Sequence, residues 1–320
     1  VVNKMNILIT GGGGFVGSHL AEAEILAGND VTVIDTAPPD KIPVKIMNNG
    51  HLHYMKHDML NPVVLGGLME WCDMVYHFAA IADPQIYCDH PEKVLRLDLE
   101  GSQLIIKMAY EMQKKIVFSS TSEIYGKNPK VPWSEDDDRV LGSTSKNRWS
   151  YSSSKAAAEH YCHAYGTLGL KFVILRFFNF YGPRLDFIGT GRVMTCFLEK
   201  FLKGMPVEVV EPGDQTRCFT YISDGIDGIR KAAHSPEAEQ GTFNIGTNRE
   251  ISMWELASLM KKIGKFDSEI KLIPAEKKYG KGYDDIFRRI PNCARIMSLG
   301  WEPKVSLEEG IIKTIESFKI

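Results

Sequence analysis

The chain has 320 residues and a formal net charge of −2, with 24% of residues charged and 44% hydrophobic. That balance, with lysine and arginine spread along the chain, excludes a basic footprint for nucleic acid or an anionic membrane; it describes a globular chain of one large or two modest domains. Any anionic ligand must therefore be held locally, by a few placed groups.

In chain order, short β-rich runs alternate with helical patterns. NILIT is followed by SHLAEAEILAG, then VTVID, HLHYMKHD, DMVYHFAA, a helix near residues 94–112, and KKIVFSS. Strands separated by helix-length segments predict an α/β fold, a doubly wound parallel sheet of Rossmann type covered on both faces. The first turn reads ITGGGGFVGSHL. Glycines at 11, 14 and 17 suit a tight turn, close approach of backbone to a pyrophosphate, and packing of helix on strand. The four consecutive glycines fit GxxGxxG and GxGxxG equally well, and a glycine-rich turn without a ligand is the bland alternative. VTVID adds Asp35, 18 residues after Gly17, where a carboxylate can accept from both ribose hydroxyls and would repel a 2′-phosphate. TAPPD offers no arginine for such a phosphate, so NAD is favoured over NADP. Asp58, in KHDML, is placed to meet the adenine or to cap a helix.

The run KKIVFS hands over to STSEIYG, a hydroxyl–hydroxyl–carboxylate series at the end of a buried strand. RWSYSSSKAAAEHY then sets Tyr151 and Lys155 at i, i+4, on one helix face. An ammonium beside a phenol favours phenolate, which lowers the tyrosine pKa toward working pH and makes it a base for a sugar hydroxyl. A lone YxxxK is common on solvated helices. Downstream of a NAD fingerprint and a strand ending in Ser/Thr it carries more.

TGGxGFVG, the acid after the second strand, STSEIYG, YxxxK and RFFNFYGPR together resemble the extended short-chain dehydrogenase/reductase family of nucleotide-sugar epimerases, dehydratases and decarboxylases. The resemblance runs nearly end to end. It implies a NAD-binding Rossmann domain, a smaller mixed α/β C-terminal substrate domain that grips a UDP-sugar, and a homodimer built from two helices of each subunit. Thr121, Tyr151 and Lys155 take the positions of the family's active-site Ser/Thr, tyrosine and lysine. The same resemblance puts Phe15, Val16, Met59 and Ala79 against the cofactor with Gly11, Gly14, Gly17, Asp35 and Asp58. It puts Ala82, Ser122 and Arg192 against the substrate. One departure is Asp98 in LRLDLEGS, where the family usually has Asn.

Within the family, sugar 4,6-dehydratases resemble Thr-Asp-Glu at this turn; Ser122 replaces that Asp and cannot act as a carboxylic acid, which disfavours dehydration. Simple 4-epimerases generally lack a carboxylate at position 123. Thr-Ser-Glu is similar to the UDP-glucuronate decarboxylases, among them UDP-xylose synthase, the apiose-forming enzymes and the decarboxylase of the lipid A aminoarabinose pathway. The segments around Asn147-Arg148-Trp149, Pro183-Arg184-Leu185-Asp186, Arg217-Cys218-Phe219-Thr220 and YGKGYDDIFRRIP resemble that group too.

By that resemblance Arg289 is a proton donor and Tyr283 a substrate contact. Arg148 and Tyr87 face the sugar or its carboxylate, Asn179 contacts the diphosphate, and EVVEPGDQTR borders the nucleotide, with Arg217 as a phosphate clamp. A surface arginine in a basic loop is the bland reading of Arg289, and more so of Arg288. Tyr151 would take the C4 hydroxyl proton, giving a 4-keto sugar whose C5 carboxylate, now β to a carbonyl, leaves as carbon dioxide. Glu123 and Arg289 would then deliver or position the proton at C5, giving UDP-xylose or a UDP-4-keto-pentose. Apiose-type ring contraction is disfavoured by Ser122, where those enzymes resemble Cys. The alternatives are a UDP-sugar 4-epimerase, acting on UDP-glucuronate or UDP-glucose, and a NAD-binding scaffold without activity.

Other features carry less. His51, His53 and His57 lack converging acidic or cysteine ligands, so no metal is expected. His160 and His163 read as dimer-interface or surface residues, Glu135 to Asp138 as a solvated loop, and Cys218 as a small buried hydrophobe. Six cysteines without a CxxC pair, and a strand-like beginning in place of a charged-then-apolar leader, suggest reduced thiols and a cytoplasmic protein. Val1 suggests that Met5 or an upstream boundary is the natural start. The expected organisation is a Rossmann part over 1–180 with a return segment near 218–246, and a substrate part over 181–217 and 247–320. GWEPKVSLEEGIIKTIESF should close the chain with a turn and helix, and no repeat or low-complexity linker is present.

Overall fold

The computed structural model describes residues 4–185, 192–279 and 284–318. Its centre is a seven-stranded parallel sheet. The strands are β1 (Asn6–Thr10), β2 (Asp30–Asp35), β3 (Leu52–Lys56), β4 (Met74–His77), β5 (Lys115–Thr121), β6 (Phe172–Phe177) and a return strand, Gly241–Ile245. Across the sheet the order is return strand, β6, β5, β4, β1, β2, β3. The chain reverses its winding between β1 and β4, and a doubly wound sheet opens a crevice outside the carboxyl ends at that point.

The strands read as unbroken apolar runs because both faces are buried. Along β1, Ile7 and Ile9 pack on one face and Leu8 on the other; β5 and β6 alternate likewise, with Val117, Val173 and Leu175 opposite Phe118, Phe172 and Ile174. Leu20 and Ile25 from helix Phe15–Leu26 and Ile229 from helix Ile222–His234 cover the first face. Leu65, Ile105 and Cys162, from helices Pro62–Trp71, Ser102–Glu111 and Ser150–Gly166, cover the second.

The helix expected near 94–112 is not uniform. Residues Leu95–Gly101 wind as a π-helix before the α-helix Ser102–Glu111. Inside the wider turn Asp98 is fully buried; its Oδ2 accepts from the Ile81 amide (3.1 Å) and its carbonyl accepts from the Ser102 hydroxyl (2.8 Å). Satisfying those groups accounts for the local break in α-helical winding.

The run 135–138 is not simply solvated. Glu135 is buried, its Oε1 accepting from the Asn244 amide (2.8 Å) and its carbonyl from Arg176 (2.7 Å). Asp136 and Asp138 are exposed, as a solvated loop requires, and Asp136 pairs with Arg295 at 2.6 Å.

Smaller sheets flank the carboxyl ends. Thr216–Cys218 pairs antiparallel with Glu250–Ser252 and parallel with Arg288–Arg289, in the register Arg288 to Thr216 and Arg289 to Arg217. Val207–Val210 pairs parallel with Ile270–Ile273. Helix Leu307–Ser317, capped by Ser306, closes the described chain. Among the described residues no helix is long and apolar enough to cross a membrane.

Candidate active site

The crevice above β1 and β4 is a cleft of about 620 Å³. At one end Gly11 has φ +74°, and a Cβ there would lie 2.5 Å from the Ala79 nitrogen; at Gly17 a Cβ would meet the Gly11 carbonyl oxygen at 2.3 Å. These are positions where only glycine lets the turn, the neighbouring strand and the helix come together. Helix Phe15–Leu26 starts behind Gly14 with no side-chain cap, so the amides of its first turn are left for an anionic ligand. Asp35 is steadied by the Gly13 and Ala37 amides, each 2.9 Å from a carboxylate oxygen. With Phe15, Val16, Met59 and Ala79 it lines the same end of the cleft. A cradle that a Cβ would fill, an uncapped helix start and a fixed carboxylate suit a dinucleotide with free ribose hydroxyls.

Asp58 also lines the cleft, with Oδ1 accepting from the Leu60 amide (2.9 Å). The helix-capping role belongs to Asn61, whose side chain accepts from Val63 and Val64. Asp58 stands one turn too early for it.

At the other end β5 terminates in Thr121, whose hydroxyl accepts from the Glu123 amide (3.2 Å), and residues Ser122–Tyr125 form a tight 3₁₀ turn. Tyr151, in the first turn of helix Ser150–Gly166, reaches the cleft beside Thr121. Lys155 lies one turn on and is fully buried, its Nζ 5.9 Å from the Tyr151 ring centroid and 3.6 Å from Asp98 Oδ1.

The expected phenolate is not what this arrangement produces in the protein itself. Burial raises the Tyr151 pKa, the Asp98 and Glu123 carboxylates raise it further, and the Thr121 hydroxyl and Arg192 only partly oppose them. Lys155 is balanced by Asp98, and burial lowers its own pKa.

Glu123 is buried between two guanidiniums, Arg148 at 2.5 Å and Arg289 at 2.7 Å. Burial pushes its carboxyl up, yet Arg148 and Arg289 outweigh that and hold it down at about 2. It is an anion with both oxygens engaged. Arg289, far from being a loose surface residue, is buried and lines the cleft, whereas Arg288 is exposed and paired with Glu250 at 2.8 Å.

Of the residues expected to face the substrate, Ala82, Thr121, Asn179, Arg192 and Arg217 line the cleft. Asn179, at φ +36°, donates to the Cys218 carbonyl (3.0 Å), and Arg217 pairs with Asp285 (3.1 Å). Tyr87, Ser122, Arg148 and Lys155 lie in a layer behind the lining. Tyr87 stacks on Tyr151 with ring centroids 4.6 Å apart, covering one face of the phenol. Tyr283 lies outside the described residues. Sequence reasoning missed Lys41, Phe177, Phe197, Met253 and Lys278, which also line the cleft. They come from five separate segments, of which only that of Phe177, in RFFNFYGPR, carries a motif, and only the fold brings them together. Cys218 is fully buried, His51 pairs with Asp30 at 2.7 Å, and among the described residues no three His, Cys, Asp or Glu side chains could hold a metal.

A family model described as the NAD dependent epimerase/dehydratase family matches residues 7–246. UDP-N-acetyl-alpha-D-glucosaminuronate decarboxylase of Bacillus cytotoxicus is 35% identical over 317 residues, 99% of this chain and 98% of that protein. UDP-D-apiose/UDP-D-xylose synthase 1 of Arabidopsis thaliana is 30% identical over 354 residues, 98% of this chain and 91% of that protein. The solved structure of Thermus thermophilus UDP-glucose 4-epimerase in complex with NAD is similar at TM-score 0.85 and 30% identity, covering 98% of this chain and 99% of that one.

Proposed function

The chain belongs to the NAD dependent epimerase/dehydratase family, and on that premise we propose that it decarboxylates a UDP-linked uronic acid, UDP-glucuronate or a close analogue, through a 4-keto intermediate. The cofactor is NAD, bound by the glycine turn, Asp35 and the uncapped helix start. When bound, it supplies reversible hydride acceptance.

Tyr151 takes the proton of the C4 hydroxyl, and Thr121, beside it in the cleft, holds the same oxygen. Once C4 is a ketone, the C5 carboxylate is β to a carbonyl and its bond to C5 breaks to release carbon dioxide. The electron pair moves onto the C4 oxygen, where the Thr121 and Tyr151 hydroxyls stabilise the enolate. A guanidinium keeps its protons at any working pH. Arg289 therefore orients the delivery of a proton to C5 from water, and Glu123 holds Arg289 in place. Ser122, buried behind the lining, has neither the acidity nor the position to expel a C6 hydroxyl.

The observation that carries the reading is Glu123 clamped between Arg148 and Arg289, beside Tyr151 and Thr121. Hydride transfer alone does not call for it. Two relatives by sequence, a decarboxylase and an apiose/xylose synthase, support the same chemistry. In this reading segments 181–217 and 247–320 grip the UDP-sugar. A second copy docks on helices Ser102–Glu111 and Ser150–Gly166, whose half-buried Leu104, Met108, Tyr161 and Tyr165 flank the second core face.

The test is incubation of the NAD-loaded protein with UDP-glucuronate and, separately, its 2-acetamido analogue, following carbon dioxide, NADH absorbance and the product sugar. Carbon dioxide without lasting NADH gives UDP-xylose or its analogue; carbon dioxide with NADH release gives the 4-keto-pentose. No carbon dioxide from either substrate overturns the proposal, and a UDP-galacturonate product in its place establishes a 4-epimerase.

A further inference from the structure

Behind Tyr151 lies a pair of charges that the proposed chemistry does not use directly. Asp98 and Lys155 are both fully buried. Asp98 Oδ2 is committed to the Ile81 amide, while Oδ1 makes no hydrogen bond among the described residues and faces the Lys155 ammonium at 3.6 Å. The ammonium lies over the Phe118 ring (4.9 Å to the centroid) and the Tyr151 ring (5.9 Å), again with no hydrogen bond among the described residues. Two opposite charges so placed cancel most of their field at a third group beyond them.

The other charged and titratable groups around this pair have partners of their own. Glu123, from the turn after β5, is held by Arg148 and Arg289. Glu159, on the same helix as Lys155, is held by Arg176 at 2.6 Å. His77 of β4 sits between the Thr10 hydroxyl (2.8 Å) and the Ser102 hydroxyl (2.9 Å), and burial, reinforced by Lys155, keeps it neutral. Tyr87 covers the Tyr151 ring from helix Pro84–Asp89, and Arg192 approaches from the start of helix Val193–Leu202. Asp98 is thus the carboxylate that answers Lys155.

We propose that Asp98 is a positioning residue that offsets the charge of Lys155, so that ionisation of Tyr151 depends on the positive nicotinamide ring of oxidised NAD. The proposal rests on the reading of Tyr151 as the group that takes the substrate proton. With Asp98 in place, Tyr151 as phenolate opposite the oxidised ring and Tyr151 as phenol opposite the neutral reduced ring both leave the buried site without net charge. Without Asp98, the second state would bury the uncompensated Lys155 ammonium, which is costly. Asp98 therefore makes the proton on Tyr151 follow the hydride. Its raised pKa, about 6 through burial, with Lys155 and the Ile81 amide in opposition, fits a carboxylate kept for an electrostatic task.

The experiment is a titration of Tyr151 by phenolate absorbance in the NAD-loaded protein, subtracting a Tyr151→Phe reference, in the wild type, Asp98→Asn and Asp98→Asn/Lys155→Met. Asp98→Asn keeps an acceptor for the Ile81 amide. It is expected to move the Tyr151 midpoint to lower pH, to a proton concentration at least tenfold higher, and to move the acid limb of the turnover profile with it. The double variant loses both charges and should titrate near the wild type, which keeps the test alive if the single variant does not fold. An unmoved or raised midpoint in Asp98→Asn, or a double variant shifted tenfold or more, overturns the proposal. The titration needs no turnover, so its failure is distinguishable from a failure to release carbon dioxide.

Discussion

Two buried carboxylates flank Tyr151, and the protein drives them in opposite directions. Glu123 is held down at about 2 and Asp98 pushed up to about 6, although burial raises both. The difference lies in the partners. Glu123 meets two guanidiniums at hydrogen-bonding distance, whereas Asp98 faces one ammonium at 3.6 Å and accepts one backbone amide. A buried charge is stabilised by direct, charge-assisted contacts, and nearness of an opposite charge alone does not offset the loss of water. One site is a clamp and the other a counterweight.

The sharpest way to break this contrast is Glu123→Gln. It leaves two buried guanidiniums uncompensated, so the protein should lose about 3–5 kcal/mol in denaturant unfolding. Turnover should fall at least a hundredfold while NAD stays bound. Unchanged turnover would remove Glu123 from the chemistry, and unchanged stability would show that the clamp is not tight.

The next effect is the pH dependence of stability, where the two carboxylates have opposite signs. Between the usual glutamate value near 4.5 and about 2, the unfolded chain binds a proton that folded Glu123 does not, so its contribution is lost as pH falls through that window. Between the usual aspartate value of 3.8 and about 6, folded Asp98 binds a proton that the unfolded chain does not, so stability declines as pH rises through it. Each amounts to a few kcal/mol, on the order of 3, at its limit. Unfolding curves from pH 3 to 7 should be flatter between pH 4 and 6 in Asp98→Asn than in the wild type. An unchanged slope there would show that Asp98 titrates as it does in the unfolded chain.

The smallest effect is the control. Arg288→Gln, which removes an exposed pair with Glu250, should change stability by no more than about 1 kcal/mol and leave turnover alone. A large loss would mean that exposure does not separate Arg288 from Arg289.

Much of the architecture was legible because its signals are local. Apolar runs of strand length alternate with helical patterns, and the glycine turn and Asp35 fall within one βαβ unit. Thr121 and Glu123, from STSEIYG, and Tyr151, from the YxxxK helix, lie in one cleft. What escaped depends on partners distant in sequence. Glu135 looks solvated in a run of acids until Asn244 and Arg176 are seen beside it. The phenolate expected from the Tyr151 and Lys155 spacing took no account of Asp98, which approaches from another helix. Asn61 takes the cap that was one of the two roles expected of Asp58, a matter of three residues that periodicity does not resolve.

The pairing of Arg288–Arg289 with Thr216–Arg217 has a consequence for how this chain can vary in length. In a strand, neighbours point to opposite sides, so this register alone decides which of two identical side chains enters the clamp. If the strand slips by one, a residue added ahead of the pair would bring Arg288 into the place of Arg289, whereas a residue lost there would bring Ile290 into it. The doubled arginine therefore lets the clamp tolerate the gain of one residue ahead of the strand better than the loss of one.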